Sequence, residues 1–360
     1  MIDGMDIETP HVLVIGLGPA GARAAAVAAA AGVDVVAIER RPQAGSPVQC
    51  AEFVPAMIER DVPDVRSVTR QMVARMLTFV EKERPEQTAD FRGRMIDRAA
   101  FDRMLAEAVA LAGADCRYGT SLLHIEHDGT VHTSDGGVLR PRILIGADGP
   151  GSRVGAAIGQ INRTLVETRQ VTVPLILPHD ATDIFLSADY RGGYGWLFPK
   201  GAVANIGLGV ENGQRHRLKP MLCALLDRLA ASRRIGTRAY GLTGGAIPAG
   251  GRLRATGALG RTAVLLAGDA AGLTNPVTGA GIASAVQSGA LAGHAAADRL
   301  AGRQRALDEY EEELGDLFDA ALGRAVRRRQ ELLERYQGGG LPDMRALRDG
   351  WIGSPHYWAA

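Results

Sequence analysis

Residues 11–39 read HVLVIGLGPAGARAAAVAAAAGVDVVAIE, and this stretch decides the fold. His11 to Ile15 is a short β-branched run bounded by Gly16, the pattern of a buried parallel strand. A glycine turn then opens into an Ala-rich helix that stops at Gly32. A second apolar strand, Val33 to Ile38, ends on Glu39. This is a βαβ unit at the start of the chain. Within it Gly16, Gly18 and Gly21 form G-x-G-x-x-G: the first glycine permits the tight turn, the second leaves room for a pyrophosphate, and the third lets helix and sheet approach closely. The helix N-terminus offers free N–H groups and a positive dipole end to phosphates. Glu39, eighteen residues beyond Gly21, is placed to accept the hydroxyls of an adenosine ribose. A strand before, a helix after and an acid at this distance make the stretch a dinucleotide-binding fingerprint rather than a chance glycine turn.

The bulk composition sets bounds around this unit. A chain of 360 residues is too long for one small core and suits two packed lobes. With 41 Lys and Arg against 40 Asp and Glu, nothing calls for nucleic acid as a partner. Cys50, Cys116 and Cys223 are odd in number and widely spaced, without a disulfide framework or zinc spacing, which points to a reducing cytoplasm. The opening ten residues, MIDGMDIETP, are polar and acidic, the reverse of a signal peptide, and no apolar run is long enough to span a membrane. His124, His127 and His132 lack the spacing of a metal site, and none is expected.

Further along, 41–56 reads as a loop with three prolines, helical patterns fall at 64–76 and 98–112, and 116–139 alternates like a strand meander. Between 155 and 245 the runs VTVPLIL, DIFLSADY and GWLFPK–AVANIGLGV read as sheet strands with a helix at 214–235. Dinucleotide-type sequence then returns as TAVLLAGDAAG and a long small-residue helix. Residues 306–337 are charged and helical in period, YQGGGLP stops that helix, and an aromatic tail follows.

Gly146-Ala147-Asp148-Gly149 with Ser152 and Arg153 resembles the GADG-x-x-S-x-V motif of the flavoprotein hydroxylase superfamily, and Gly268-Asp269-Ala270-Ala271 with Asn275-Pro276 and Gly279-Ala280-Gly281-Ile282 resembles that superfamily's second FAD motif. The resemblance implies FAD. Asp269 then accepts hydrogen bonds from the ribityl chain, the turn at 275–282 brings N–H groups to the flavin, and the helix starting near Ile282 sets its positive end beside charge on the reduced ring. The segment Tyr194-Gly195-Trp196-Leu197-Phe198-Pro199-Lys200, followed by Ala204-Asn205-Ile206-Gly207-Leu208-Gly209, resembles the Y-x-W-x-F-P-K signature of the geranylgeranyl reductase family. Alternate strand residues share a side, so Tyr194, Trp196 and Phe198 fall on one face, which in that family lines the substrate cavity. The Cys50-Ala51-Glu52 segment is similar to the family's Cys–Gly motif, with Ala51 in place of the glycine and Glu52 adding a charge. By this resemblance Ala20, Cys50, Ala51, Phe53 and Arg98 touch the FAD together with the fingerprint residues, Leu122 contacts the adenine by its backbone, and Cys50, Tyr194 and Trp196 carry the catalysis.

The implied fold is the two-lobed, p-hydroxybenzoate hydroxylase-like α/β one. A Rossmann-type FAD domain takes residues 1–155 and 245–300, a mixed-sheet substrate domain takes 156–244, and C-terminal helices with the aromatic tail take 301–360. The implied activity is FAD-dependent reduction of a C=C bond in an apolar, isoprenoid-like substrate. An oxygen-using monooxygenase or peptide-tailoring flavoprotein is the alternative. With one G-x-G-x-x-G, electrons come from an external donor, either NAD(P)H or a redox protein. The basic run Arg324, Arg327, Arg328 and Arg329 reads as a solvated helix face and leaves peripheral membrane contact open. Trp351, Tyr357 and Trp358 either dock back on the body or cover the cavity mouth.

Overall fold

The computed structural model describes residues 7–359; the acidic opening of the chain, residues 1–6, lies outside them. Strand Val12–Ile15 is fully buried, as four consecutive apolar residues between two parallel neighbours require. It pairs in parallel with Val35–Glu39 on one side and Ile143–Gly146 on the other. Asp115–Tyr118 extends one edge, and Thr262–Leu266 with its antiparallel partner Thr256–Leu259 extends the other. The result is a six-stranded, mainly parallel sheet whose last two strands come from far along the chain.

The crossover helix Pro19–Ala30 packs against helix Ile282–Leu300. A Cβ on Gly289 would stand 2.1 Å from the Ala20 carbonyl oxygen, and one on Gly293 would stand 2.6 Å from that of Ala24. Here the alanine- and glycine-rich composition has a structural cause: these two helices touch backbone to backbone.

The second lobe is a seven-stranded sheet. Its order is Gly241–Pro248, Leu165–Pro174, Val203–Glu211, Gly195–Lys200, Ala181–Leu186, Arg75–Val80 and Glu86–Thr88. Two of these strands come from inside the stretch 1–155. The helix expected at 64–76 is not formed. A short 3-10 turn, Pro63–Val68, leads into strands Thr69–Val73 and Arg75–Val80. The buried residues Val65, Val68, Val73 and Met76 recur at intervals of three, five and three, which fit a helical period and not strand alternation. Pairing of Thr69–Val73 with Gly93–Ile96 decides the matter, a tertiary contact that local periodicity does not contain. Helix Arg98–Leu111 forms as expected, capped by Asp97, whose side chain accepts from the Ala100 N–H.

The two faces of the seven-stranded sheet have different jobs. Leu197, Ile206, Leu208 and Val210 pack under helix Leu218–Ala231 through Leu222, Leu225 and Leu229. Trp196 and Phe198, alternating with Leu197, face the other way and cluster with Met76, Ile184 and Trp351. Opposite Trp196 in register stands Gly207, where a Cβ would meet the indole at 2.4 Å. The glycine is what lets the ring lie flat on its neighbouring strand.

Two glycines separate these effects. Gly289→Val forces a side chain into the Ala20 backbone and is expected to cost about 3 kcal/mol, the upper end for overpacking. Gly323→Ala, mid-helix with nothing nearer than 4.0 Å to the new methyl, is expected to stabilise by up to about 1 kcal/mol. Urea unfolding measures both.

Candidate active site

A cavity of roughly 490 Å³ lies between the lobes, and it gathers most of the residues singled out above. Gly18, Ala20, Cys50, Ala51, Phe53, Arg98, Tyr194, Trp196, Phe198, Asp269, Gly281 and Ile282 all line it. Gly16, Gly21, Glu39, Leu122 and Asp148 do not. Gly16, at φ +93°, crosses the Ala147 carbonyl so closely that a Cβ would sit 2.5 Å from its oxygen, and a Cβ on Gly21 would sit 1.7 Å from the Gly16 oxygen. Glu39 accepts N–H bonds from Leu17 and Arg41, both 2.9 Å, and so ties the glycine turn to the end of the second strand. Asp148 accepts from Ser152 Oγ at 2.5 Å and from the Arg153 N–H at 2.7 Å. The Arg153 guanidinium in turn donates to the Leu122 carbonyl at 2.6 Å. Asp148, Arg153 and Leu122 thus form one cluster outside the cavity wall.

Besides the Asp97-capped helix Arg98–Leu111, two long helices begin at the cavity: Pro19–Ala30 after Gly18, and Ile282–Leu300 after Gly281. Neither has a side-chain cap or an acidic residue in its first turn, so their free N–H groups and positive ends remain available. Around Gly18 there is open space within 4 Å of where a Cβ would stand. Asp269 accepts from Thr274 Oγ1 at 2.5 Å. Burial pushes its carboxyl above the usual range, with Thr274 and the Arg98 charge pulling the other way.

The Cys50-Ala51-Glu52 loop is held by a buried polar clamp. Glu52, 5% exposed, takes both oxygens to Lys200 Nζ at 2.8 and 2.7 Å. It also accepts from Asn205 Nδ2 at 2.8 Å and from the Arg98 N–H at 3.0 Å. Asn205 Nδ2 also donates to the Ala51 carbonyl, and Gln170 Nε2 donates to that of Cys50 at 2.9 Å. The Trp196 indole N–H closes the network on Gln170 Oε1 at 2.9 Å. Glu52 itself sits at φ +70°, a conformation that costs a non-glycine residue about 1 kcal/mol and that these bonds over-determine. Sequence reasoning missed Glu52, Lys200, Asn205 and Gln170 as site residues. For Lys200 and Asn205 the available signal was a polar residue on a strand otherwise made of buried apolar ones, the lysine of GWLFPK and the asparagine of VANIGLG; Gln170 sits among other polar residues in ETRQVT and carries no such signal.

Cys50 Sγ accepts the Glu52 N–H at 3.2 Å and lies beside Arg98. Burial opposes the Arg98 charge, but the Asp102 carboxylate and the Cys50 sulfur outweigh it and raise its pKa further; Arg98 Nε meets Asp102 at 2.6 Å. Along the wall six aromatic rings run in sequence. Centroid separations are 4.8 Å from Trp351 to Tyr194, 5.7 Å to Trp196, 6.2 Å to Phe198, 5.9 Å to Phe53 and 5.4 Å to Phe91. The Tyr194 hydroxyl donates to the Thr278 carbonyl at 2.6 Å, joining this row to the turn at 275–281.

The tail supplies the first ring. Trp351 is buried, and Ile352 lines the cavity with it. The basic run on helix Ala306–Glu334 is not a solvated face. Arg328 donates to the Tyr357 and Ala359 carbonyls, Arg324 covers the Trp358 ring, and Arg329 is buried against the Gly192 carbonyl. Three of its four arginines are spent holding the tail and the cavity wall.

A fold with this parallel sheet, glycine turn and interlobe cavity defines the class of FAD-dependent oxidoreductases. Residues 9–173 match the family described as "FAD binding domain". The chain is 33% identical over 322 residues to a digeranylgeranylglycerophospholipid reductase from Methanosarcina mazei, covering 84% of this chain and 78% of that protein. A solved geranylgeranyl bacteriochlorophyll reductase-like protein from Thermoplasma acidophilum superposes with a TM-score of 0.82 at 25% identity, over 95% of this chain and 90% of that one. A probable FAD-dependent monooxygenase from Pseudomonas aeruginosa shares the fold at 18% identity, with a TM-score of 0.71 over 95% of this chain and 99% of that one. The chain belongs to the geranylgeranyl reductase family and is an enzyme whose cofactor is FAD. The open space at Gly18, the two uncapped helix starts and the buried Asp269 carboxyl fit that group. Among the described residues no helix is long and apolar enough to cross a membrane.

Glu52→Ala would leave Lys200 without its counterion. Because Lys200 retains 19% side-chain exposure, the expected cost is at the lower end of the range for broken buried pairs, about 3 kcal/mol. Glu52→Ala with Lys200→Met should recover most of it, and a double-mutant cycle in urea reads the coupling.

Proposed function

We propose that this enzyme saturates carbon–carbon double bonds of an isoprenoid chain. The observation carrying this reading is the apolar cavity itself: six rings line it together with the flavin-motif residues Gly18, Asp269 and Gly281, so an apolar chain and the cofactor share one enclosure. Gly18, Ala20 and the start of helix Pro19–Ala30 would hold the pyrophosphate, and Asp269 the ribityl chain. Glu39 would meet the ribose, and Asp148 and Leu122 would support the adenosine side. Cys50, Ala51, Phe53, Arg98, Gly281 and Ile282 would border the ring. When bound and reduced, FAD supplies the hydride.

The residues supply the rest. Tyr194, Trp196 and Phe198 bind the alkene by apolar contact and fix its face, since rings on one strand side, locked by Gln170 and Thr278, cannot swing away. Their surface also excludes water from the reacting carbons. Cys50 holds a proton at Sγ for the second alkene carbon. The negative charge left on sulfur faces the Arg98 guanidinium, fixed in advance by Asp102, and the Glu52 N–H, fixed by the clamp. Burial raises the Tyr194 phenol well above its ordinary pKa, and its proton is committed to the Thr278 carbonyl, so Tyr194 positions rather than protonates. Electrons arrive from outside the chain, from a nicotinamide nucleotide or a redox protein.

The test is anaerobic single turnover. Photoreduced holoenzyme is mixed with a geranylgeranyl lipid, and the product is weighed by mass spectrometry. A gain of two hydrogens with flavin reoxidation is expected. A product that forms only on admitting oxygen, and that gains an oxygen atom, overturns the reading. Cys50→Ser is expected to slow the step by about 100-fold, the lower range for losing a general acid; an unchanged rate removes Cys50 from the proton path.

A further inference from the structure

The C-terminal tail is strapped over the cavity from both sides. Arg348, on the short helix Met344–Asp349, pairs with Glu83 at 2.8 Å and Glu86 at 2.5 Å on the edge of the seven-stranded sheet. Arg328, on the long helix, holds the other end through the Tyr357 and Ala359 carbonyls. Between these anchors Trp351, 4% exposed, is pressed onto Tyr194 at the end of the aromatic row. A Cβ on Gly353 would stand 3.3 Å from Met76 Cε and 3.4 Å from the Trp351 ring, so the strap lies directly on the sheet. The buried Trp351 indole N–H has no hydrogen-bond partner. Its position is therefore set by ring contact and by the two anchors, not by a polar bond of its own.

The cavity volume of roughly 490 Å³ is bounded by flavin-motif residues as well as by the rings, so a substrate has only part of it. Pockets for a single drug-sized ligand run to about 300–1,000 Å³. The space left is short for a long chain, and the row of rings along it ends on Trp351.

We propose that Trp351 is the end wall of the substrate cavity and sets the length of isoprenoid segment the enzyme accepts. This rests on the isoprenoid reading above, and the experiment separates the two. Saturated prenyl alcohols of two, three and four isoprene units, which cannot be reduced, are titrated into oxidised holoenzyme while the flavin absorbance is followed. Wild type is expected to show a length cut-off. Trp351→Ala should admit at least one further unit, tightening the first excluded alcohol by about 10-fold or more, the scale on which apolar pockets discriminate size. Trp351→Phe keeps the ring, loses only the unpartnered N–H and should retain the wild-type cut-off. Flavin content and melting temperature check each fold; should Trp351→Ala lose its flavin, Trp351→Leu carries the same test. If wild type binds no prenyl alcohol, the isoprenoid reading fails. If it binds them with no cut-off, or with one that stays in place when the indole is removed, the end-wall assignment is overturned.

Discussion

Everything at the interlobe cavity depends on one buried ion pair. Glu52 and Lys200 are 148 residues apart in sequence, one in a loop and the other at the end of a strand, yet their contact at 2.7–2.8 Å fixes the Cys50 loop against the strand that carries Trp196 and Phe198. A buried pair of this kind is seldom a net source of stability, because desolvating both charges offsets their attraction. What it provides is uniqueness of position. Asn205, aligned by Thr172 at 2.8 Å, and the Arg98 N–H occupy the remaining carboxylate lone pairs, so the loop has one fully satisfied arrangement and poor alternatives.

That arrangement is set on a frame made by small residues. Gly16 and Gly21 let the first turn press against Ala147 and against itself. Gly289 and Gly293 let the helix that starts at Gly281 lie on the backbone of the helix that starts at Gly18. Two helix N-termini are thereby aimed at one enclosure from elements more than 260 residues apart. The same economy operates on the second sheet, where Gly207 makes the seat for the Trp196 indole.

Much of this was legible in the sequence, and the boundary of legibility is physical. The βαβ unit of residues 11–39 declares itself because strand, turn and helix are local and their requirements fall on adjacent residues. The aromatic face of 194–198 is readable because strand alternation is a strict period of two; the split of Leu197 from Trp196 and Phe198 into separate cores follows it. The segment 64–76 misleads because its four buried apolar residues fall at helical intervals, and only pairing with the partner strand Gly93–Ile96 overrides them. The clamp is hidden for a different reason: no local rule says that a charge in a loop will meet a lysine at the end of a distant strand. The arginine run 324–329 reads as a solvated face by composition, whereas its partners are main-chain carbonyls, which composition does not display.

The interleaving of the two sheets has a bearing on how the chain comes into being. Strand Val12–Ile15 is made well before its neighbour Ile143–Gly146, and the strand beyond that, Thr262–Leu266, is made later still. Strand Arg75–Val80 pairs locally with Glu86–Thr88 but likewise waits for Ala181–Leu186 on its other side. The parallel sheet cannot close on a contiguous piece of nascent chain: VLVI lacks one of its two neighbours until RILIG is made, and RILIG lacks one until Thr262–Leu266 is made. Long-range parallel pairing of this sort is intrinsically slow and exposed to aggregation. The geometry that lets one cavity draw on distant parts of the chain therefore lengthens the time for which apolar strand edges stand unpaired during synthesis.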